Sequence, residues 1–381
     1  MRLLHLYAGN LFGGIERMLL TLASESPRDP RLRHSFGLCF DGPLARQLAA
    51  TGADVRLLGA VRFSRPWTLW RARRNLRGLL RRERFDVVVC HACWPHAVFA
   101  PAARAAGRPL AFWAHDAMDA SARFERRAAR QPPDLVIANS HFTAGTVGTT
   151  FPGVGVRVVH CLLTMPPPLS LPERAIGRAR WGLMADDRVV AICARLEPTK
   201  GHANLLEAFA LLPTPPGKPL PQLWVIGGAQ RPHEHAHLRS LQQLAEQLGI
   251  ADRVRWFGQR DDARELVALA DVLCQPNTSP DSFGLSLVES LAAGVPVVTS
   301  DLGGPREIVR DDCGTLVDAG NARVIAAALG HWLSRAGEPG LADRARARAV
   351  ELCDPAARLA DLADALATIA AAGQPLPAGP R

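Results

Sequence analysis

The sequence predicts two Rossmann-like α/β domains, each built on a parallel sheet covered by helices. Three observations carry this. Short, continuously apolar runs alternate with amphipathic segments along the chain, the pattern of strands buried on both faces. The series breaks once, at a stretch holding Pro166, Pro167, Pro168 and Pro172, and then resumes. The 381 residues also suffice for two cores, at about 100–200 residues per domain.

In the first series the expected strands cover residues 3–7, 36–39, 55–58, 87–90, 110–114 and 135–138. Helical patterns at 15–23, 45–50 and 95–106 lie between them. This domain is assigned to residues 1–165 and the proline-rich linker to 166–184. The second domain, 185–354, has expected strands at 189–193, 223–226, 254–257, 272–275 and 297–300. Residues 355–372 read as a C-terminal helix, and the Pro/Gly-rich residues 373–381 as a disordered tail. Two such domains are expected to face each other across a cleft. Ligands of these sheets bind beyond the carboxyl ends of the strands, so chemistry is sought in the loops that follow strands.

Composition removes several classes. Aromatic residues make up 6% of the chain, and 32 Gly and 30 Pro mark many tight turns. A coiled coil, a collagen-like chain and a wholly disordered chain are thereby excluded. No run approaches the roughly 18 apolar residues of a membrane span. Residues 3–8 read as a first strand, not a signal-peptide core, which leaves the cytoplasm as the expected compartment. The eight cysteines are scattered and mostly close apolar runs, so they read as buried small hydrophobes. Cys90-His91-Ala92-Cys93 has no second pair at zinc-site spacing, and a structural role is expected.

The formal charge of +9 is uneven. Residues 1–165 hold 23 Arg, no Lys and 11 acids, a net of +12, while residues 166–381 hold 22 basic and 25 acidic side chains. An anionic partner near the first domain is indicated, with a general bias toward arginine as the plainer explanation.

The strongest motif is Asp281-Ser282-Phe283-Gly284-Leu285-Ser286-Leu287-Val288-Glu289. It reads as a loop after a strand, then a glycine, then a helix whose start offers free N–H groups and a positive dipole end to a phosphate. Glu289, more than one turn into that helix, can accept hydrogen bonds from sugar hydroxyls. Spacing alone is equally satisfied by an Asp281 that caps a turn and a Glu289 on a solvated face. Downstream stand Ala292-Ala293-Gly294-Val295-Pro296-Val297-Val298-Thr299-Ser300 and then Gly303-Gly304. The whole segment resembles the signature of the retaining family 4 glycosyltransferases of GT-B fold: an acid, one residue, Phe-Gly, and a Glu eight positions after the acid.

Other stations of that family occur in order. Arg195-Leu196-Glu197-Pro198-Thr199-Lys200-Gly201 follows a strand, and its two cations can both reach a diphosphate. Lys200 and Lys218 are the only lysines in the chain. Gly13-Gly14-Ile15-Glu16 sits between the first strand and first helix, without the spacing of a dinucleotide fingerprint. His115-Asp116 follows the strand at 110–114, and Gln259-Arg260 the strand at 254–257.

The resemblance implies that Arg195, Lys200, Phe283, Gly284 and Leu285 hold the donor diphosphate and Glu289 the ribose. It further implies that Asp281 and His115 contact the donor sugar, His115 not as a general base. Gly13 and Gly14 line the donor–acceptor junction, and Arg260 contacts the base. The C-terminal helix is expected to return to the N-terminal domain and pack across both. Many relatives carry Glu where this chain has Asp281, a carboxylate one methylene longer. No D-x-D occurs in the sequence, so no metal or other cofactor is expected, Arg195, Lys200 and the helix start taking the metal's electrostatic part.

Two further features stand outside these stations. His233, His235 and His237 form an alternating triplet, read as an exposed loop ahead of a metal site. Over residues 66–84, Leu69, Ala72, Leu76, Leu79 and Leu80 share one helical face. Trp67 and Trp70 lie among the arginines, including Arg71, Arg74 and Arg77, a pattern suited to an anionic membrane or acceptor surface.

The reading is therefore a retaining glycosyltransferase acting from a UDP- or GDP-linked sugar. Its acceptor would be a glycan, a lipid-linked molecule or a small molecule, with the enzyme cytoplasmic and peripheral on the inner face of the membrane. Its rivals are a GT-B epimerase or phosphorylase-like enzyme, an inactive paralogue that partners another transferase, and an arginine-rich nucleic-acid-binding protein. The last is disfavoured because aromatic–basic interleaving is confined to one helix, so no nucleic-acid partner is expected. A nicotinamide oxidoreductase is disfavoured by the missing glycine fingerprint.

Overall fold

The computed structural model describes residues 1–10, 13–213, 217, 219–229 and 232–371, in two compact units: 1–164 with the C-terminal segment from 353, and 165–352. The expected tail at 373–381 and Lys218 lie outside the described residues.

The first unit runs β1 (Arg2–Tyr7), α1 (Gly14–Glu25), β2 (Arg33–Leu38), α2 (Pro43–Ala50), β3 (Asp54–Leu57), α3 (Pro66–Arg82), β4 (Val87–His91), α4 (Cys93–Ala105), β5 (Leu110–Ala114), α5 (Arg123–Ala128), β6 (Leu135–Ala138), α6 (His141–Thr146) and β7 (Val156–Val158). Its sheet has the order β3-β2-β1-β4-β5-β6-β7, and every pairing is parallel. Strands β4, β5 and β6 are buried at every position, which is why their sequences read as unbroken apolar runs. Leu4, Leu6, Val88 and Cys90 pack with Leu76, Leu79 and Leu80 of α3 and with Val98 and Phe99 of α4. Each such Leu, Val or Phe contributes about 1.5–3 kcal/mol on burial.

The second unit runs α7 (Leu171–Arg180), β8 (Val189–Cys193), α8 (His202–Ala210), β9 (Gln222–Ile226), α9 (Pro232–Gln247), β10 (Val254–Gly258), α10 (Ala263–Ala268), β11 (Val272–Gln275), α11 (Leu285–Ala292), β12 (Val297–Ser300), α12 (Pro305–Ile308), β13 (Gly314–Val317), α13 (Ala322–Ser334) and α14 (Leu341–Cys353). Its sheet order is β10-β9-β8-β11-β12-β13, again all parallel. Strand order reverses beside β1 in the first sheet and beside β8 in the second. The loops after β1, β4, β8 and β11 therefore open at topological switch points.

The last helix, α15 (Pro355–Ala370), packs against α1, β4 and β6 of the first unit, the return expected of the C-terminal helix. Asp354 caps it, accepting from the Ala357 N–H at 2.9 Å, and Leu359, Leu362, Leu366 and Ile369 form its buried stripe.

The structure departs from expectation in three places. Residues 171–180, inside the expected linker 166–184, form α7. Pro172 falls in its first turn, where a missing N–H is harmless, and Ser170 and Glu173 close a capping box. Arg178, buried, donates to the Leu269 carbonyl at 2.8 Å, and Arg174 donates to Asp271 at 2.9 Å, so the helix is tied to the loop before β11. Strands β7 and β13 were not anticipated. In β7 two half-buried valines flank an exposed Arg157, which gives no apolar run. In β13, Gly314 has no room for a side chain, since a Cβ would lie 2.6 Å from the Val297 carbonyl oxygen.

Candidate functional site

In the second unit the expected residues gather on the loops after β8 and β11. Lys200 ends a short 3-10 turn, Pro198–Lys200, closed by Gly201 at φ +76°. A Cβ there would lie 1.9 Å from the Pro276 carbonyl oxygen, so glycine alone lets the two loops touch. The Thr278 N–H donates to the Thr199 carbonyl across this contact at 3.0 Å. Lys200 Nζ then donates to Asp281 Oδ2 at 3.0 Å, and Asn277 Nδ2 donates to the same oxygen at 3.1 Å.

Beyond Asp281, Gly284 takes φ +111° as the N-cap of α11, with no side chain capping the helix. The first turn of α11 thus starts from a backbone that only glycine adopts readily, and its N–H groups carry the positive end of the dipole. Phe283 is buried, and Gly304 packs against it so closely that a Cβ would meet the Phe283 Cα at 2.6 Å. Ser286 donates to Gln275 Oε1 at 2.8 Å, and Gln275 Nε2 donates to Asn277 Oδ1 at 3.1 Å. A buried polar ladder thereby runs from α11 back to the Asp281 loop.

Glu289 is not on a solvated face: its side chain is 6% exposed. Arg264 of α10 donates to Glu289 Oε1 through Nε at 2.9 Å and Nη2 at 2.7 Å. Arg195 pairs with Glu197 of its own loop at 2.6 Å, and Arg260 pairs with Asp262 at 2.6 Å while lying over the Trp181 ring. Lys200, Asp281 and the start of α11 are therefore joined directly, whereas Arg195 and Arg260 each close a local ion pair.

In the first unit, Gly13 caps α1 with an extended backbone, and Gly14 opens the helix with no described atom within 4 Å of where a Cβ would stand. Tyr7, at the end of β1, donates to Glu16 Oε1 at 2.8 Å, and burial with that carboxylate pushes the phenol pKa up. His115 sits just past β5, buried, its Nε2 sharing a hydrogen bond of 3.0 Å with His91 Nδ1. Burial pushes its pKa down to about 3, so the ring is neutral at pH 7.

Helix α3 buries Ala72, Leu76, Leu79 and Leu80, while Trp67 and Trp70 stand 63% and 61% exposed. Arg74 lies over the Trp70 ring at 5.4 Å. Arg73 turns the other way, donating to the Val98 and Ala97 carbonyls of α4 at 2.7 and 3.1 Å. Arg71, Arg74 and Arg77 remain on the outer side, and an open groove beside β3 is lined by Arg56, Arg74, Arg77, Arg81 and Arg82.

Cys90 and Cys93 are free thiols; burial raises both, Cys93 to about 12. The histidine triplet lies in helix α9, not in a loop, and the His233 side chain is outside the described residues. His235 is exposed, and His237 packs edge-on against His202. Among the described residues no three His, Cys, Asp or Glu side chains are grouped to hold a metal ion, and no helix is long and apolar enough to cross a membrane.

Arg264, Asn277, Gln275 and Tyr7 were not anticipated. Only contact across elements singles out Arg264 and Asn277, whereas Tyr7 and Gln275 each end a strand that was visible in the sequence. Two parallel-sheet domains, with a Lys–carboxylate contact and a glycine-opened helix at the strand ends of the second, define the GT-B class of fold.

The family follows from comparison. The model for glycosyl transferases group 1 matches residues 174–349, and that for glycosyltransferase family 4 matches residues 12–197. The chain belongs to this family of glycosyltransferases. It is 36% identical over 157 residues to the lipopolysaccharide core biosynthesis glycosyltransferase LpsE of Rhizobium meliloti, covering 41% of this chain and 42% of the relative. It is 32% identical over 272 residues to a D-inositol 3-phosphate glycosyltransferase of Xylanimonas cellulosilytica, covering 68% and 60%. This chain thus spans less than two thirds of the length of these curated relatives. The crystal structure of Anabaena HepE in complex with UDP superposes with a TM-score of 0.83 at 25% identity, over 97% of this chain and 100% of that one.

Proposed function

We propose that this protein is a retaining glycosyltransferase that uses a UDP- or GDP-linked sugar and no metal ion. The observation that carries the reading is the contact between Lys200 and Asp281, immediately ahead of the glycine-opened start of α11. A diphosphate arriving there meets an ammonium and free helix N–H groups, and both gain strength as charge builds on the departing oxygen. Arg195 adds a second cation once it exchanges Glu197 for the ligand. Glu289, oriented by Arg264, accepts hydrogen bonds from the ribose hydroxyls.

In the reaction the anomeric C–O bond to the diphosphate breaks and the acceptor oxygen bonds to the same face. The acceptor's proton passes to the leaving phosphate oxygen. Asp281 contacts the sugar and already has two donors, which suits it to positioning and not to attack. His115, neutral, contacts the sugar as a hydrogen-bonding group, Gly13 and Gly14 line the junction with the acceptor, and Arg260 contacts the base.

The arginine face of α3 is assigned to an anionic surface or acceptor, because exposed Trp67 and Trp70 sit among its guanidinium groups. A glycan, lipid-linked or small-molecule acceptor fits this reading. The UDP in the Anabaena structure favours a uridine donor.

The test is a panel of UDP- and GDP-sugars scored by thermal stabilisation, followed by product analysis. One donor should raise the midpoint by several degrees at about 100 times its Kd and yield a product of unchanged anomeric configuration. No stabilisation and no nucleoside diphosphate release with any donor would sink the proposal.

A further inference from the structure

Four histidines form one hydrogen-bonded file across the first unit. His34 Nδ1 meets His5 Nε2 at 2.8 Å, His5 Nδ1 meets His91 Nε2 at 2.9 Å, and His91 Nδ1 meets His115 Nε2 at 3.0 Å. The rings follow each other at 5.0, 5.1 and 5.2 Å. Register explains the alignment: His34 pairs with Leu3, His5 with Val89, and His91 with Trp113. Each next histidine therefore lies one strand over and two residues further on, on the same face of the sheet.

All four are buried, and burial holds each ring neutral at pH 7: His34 is pushed down to about 4, His115 to about 3, and His5 and His91 also well below the usual imidazole value. A neutral imidazole has one N–H and one lone pair. Three bonds among four such rings leave only two arrangements, with every proton on Nδ1 or every proton on Nε2. The inner end chooses between them. His34 Nε2 is buried and has no hydrogen-bond partner among the described residues. An orphaned N–H is costlier there than an orphaned lone pair.

We infer that His34, His5 and His91 are positioning residues that lock His115 in its Nδ1–H form, so that the ring presents a donor at the carboxyl end of β5. Without the file the ring is free to present a lone pair instead. The consequence for turnover rests on the sugar contact proposed above for His115; the tautomer itself does not.

The test is 15N spectroscopy of the full chain labelled at histidine, near pH 7, since protonated and bare ring nitrogens resonate far apart. The expected result is a protonated Nδ1 in all four rings, and an Nε2–H at His115 overturns the inference. A second arm uses His34→Asp, whose acceptor-only carboxylate takes the proton of His5 Nε2 and reverses the file. His115, three rings away, should then switch to Nε2–H. A folded variant in which His115 keeps its Nδ1 proton overturns the coupling, and should the variant not fold, the unaltered protein still decides. With the switch, kcat/KM should fall about tenfold, the value of one hydrogen bond. A switch with unchanged turnover supports the locked file and removes the sugar contact from His115.

Discussion

Lys200 Nζ donates to Asp281 Oδ2 at 3.0 Å, joining the loop after β8 to the loop after β11. These residues stand 81 positions apart in sequence, and the contact depends on Gly201 letting its backbone rest against Pro276. Both side chains are mostly buried, at 23% and 17% exposure, so the pair is less screened than a surface ion pair.

Replacing Lys200 by Ala should weaken nucleoside-diphosphate binding by about 10–100-fold, the range for a lost hydrogen bond between charged groups. The fold should persist, because Asp281 keeps the Asn277 amide and faces solvent in part. Calorimetric titration with UDP and GDP measures the loss, and unaltered affinity for both would remove Lys200 from the site.

Glu289→Ala should abolish turnover and weaken binding of the ribonucleotide. Its partner Arg264 is 40% exposed and can turn to water, so the folded state should survive. Circular dichroism and donor titration on one sample separate the two effects. An enzyme with unchanged donor affinity contradicts the ribose role.

Two glycines should answer oppositely to alanine. Gly201→Ala places a methyl 1.9 Å from the Pro276 oxygen at φ +76°, and should cost more than the ~1–2 kcal/mol of a left-handed residue alone. Gly14→Ala meets no described atom within 4 Å and should leave the melting temperature unchanged. Loss of turnover in the stable Gly14→Ala protein would mark this position as a ligand contact.

Acid should destabilise the first unit before any carboxylate effect. Burial lowers His34 and His96 to about 4 and His115 to about 3. Below about pH 6.5 the unfolded chain binds protons that the folded chain refuses. The stability from these groups is thus complete above about pH 6.5 and is lost as pH falls, by about 2 kcal/mol per imidazole at pH 5. Urea midpoints at pH 7.5, 6 and 5 should decline in that order, and a flat series would contradict the neutral state of the rings.

Vesicles containing anionic lipid should carry the protein down at low salt and release it at high salt. Each arginine near such a surface contributes about 1 kcal/mol. The double substitution Trp67→Ala with Trp70→Ala should reduce sedimentation without affecting stability, since both rings are largely exposed. No binding at low salt would leave α3 as an ordinary surface helix.

Much of the architecture was visible in the sequence because parallel strands buried on both faces read as apolar runs wherever they lie. The strands through Val89, Phe112 and Leu273 are legible for that reason. The Asp281–Glu289 segment was legible too, since a glycine-opened helix after a strand is a local feature. α7 was hidden because three prolines and Pro172 suggest irregular chain; the Ser170–Glu173 capping box was a local sign of it, whereas the Asp271 contacts that hold the helix need a partner from another element.

The sequence alone determined the two α/β domains, the family resemblance and the uneven charge, since each depends on periodicity, local motifs or composition. Only the tertiary structure decided what the charged groups face. It buried Glu289 against Arg264, turned Arg73 inward onto α4, and joined Lys200 to Asp281. It also aligned His34, His5, His91 and His115, whose relation arises from strand register. Hydrogen bonds reach only about 3 Å, so partners on separate strands and loops are set by how the elements pack, which no local stretch of sequence specifies.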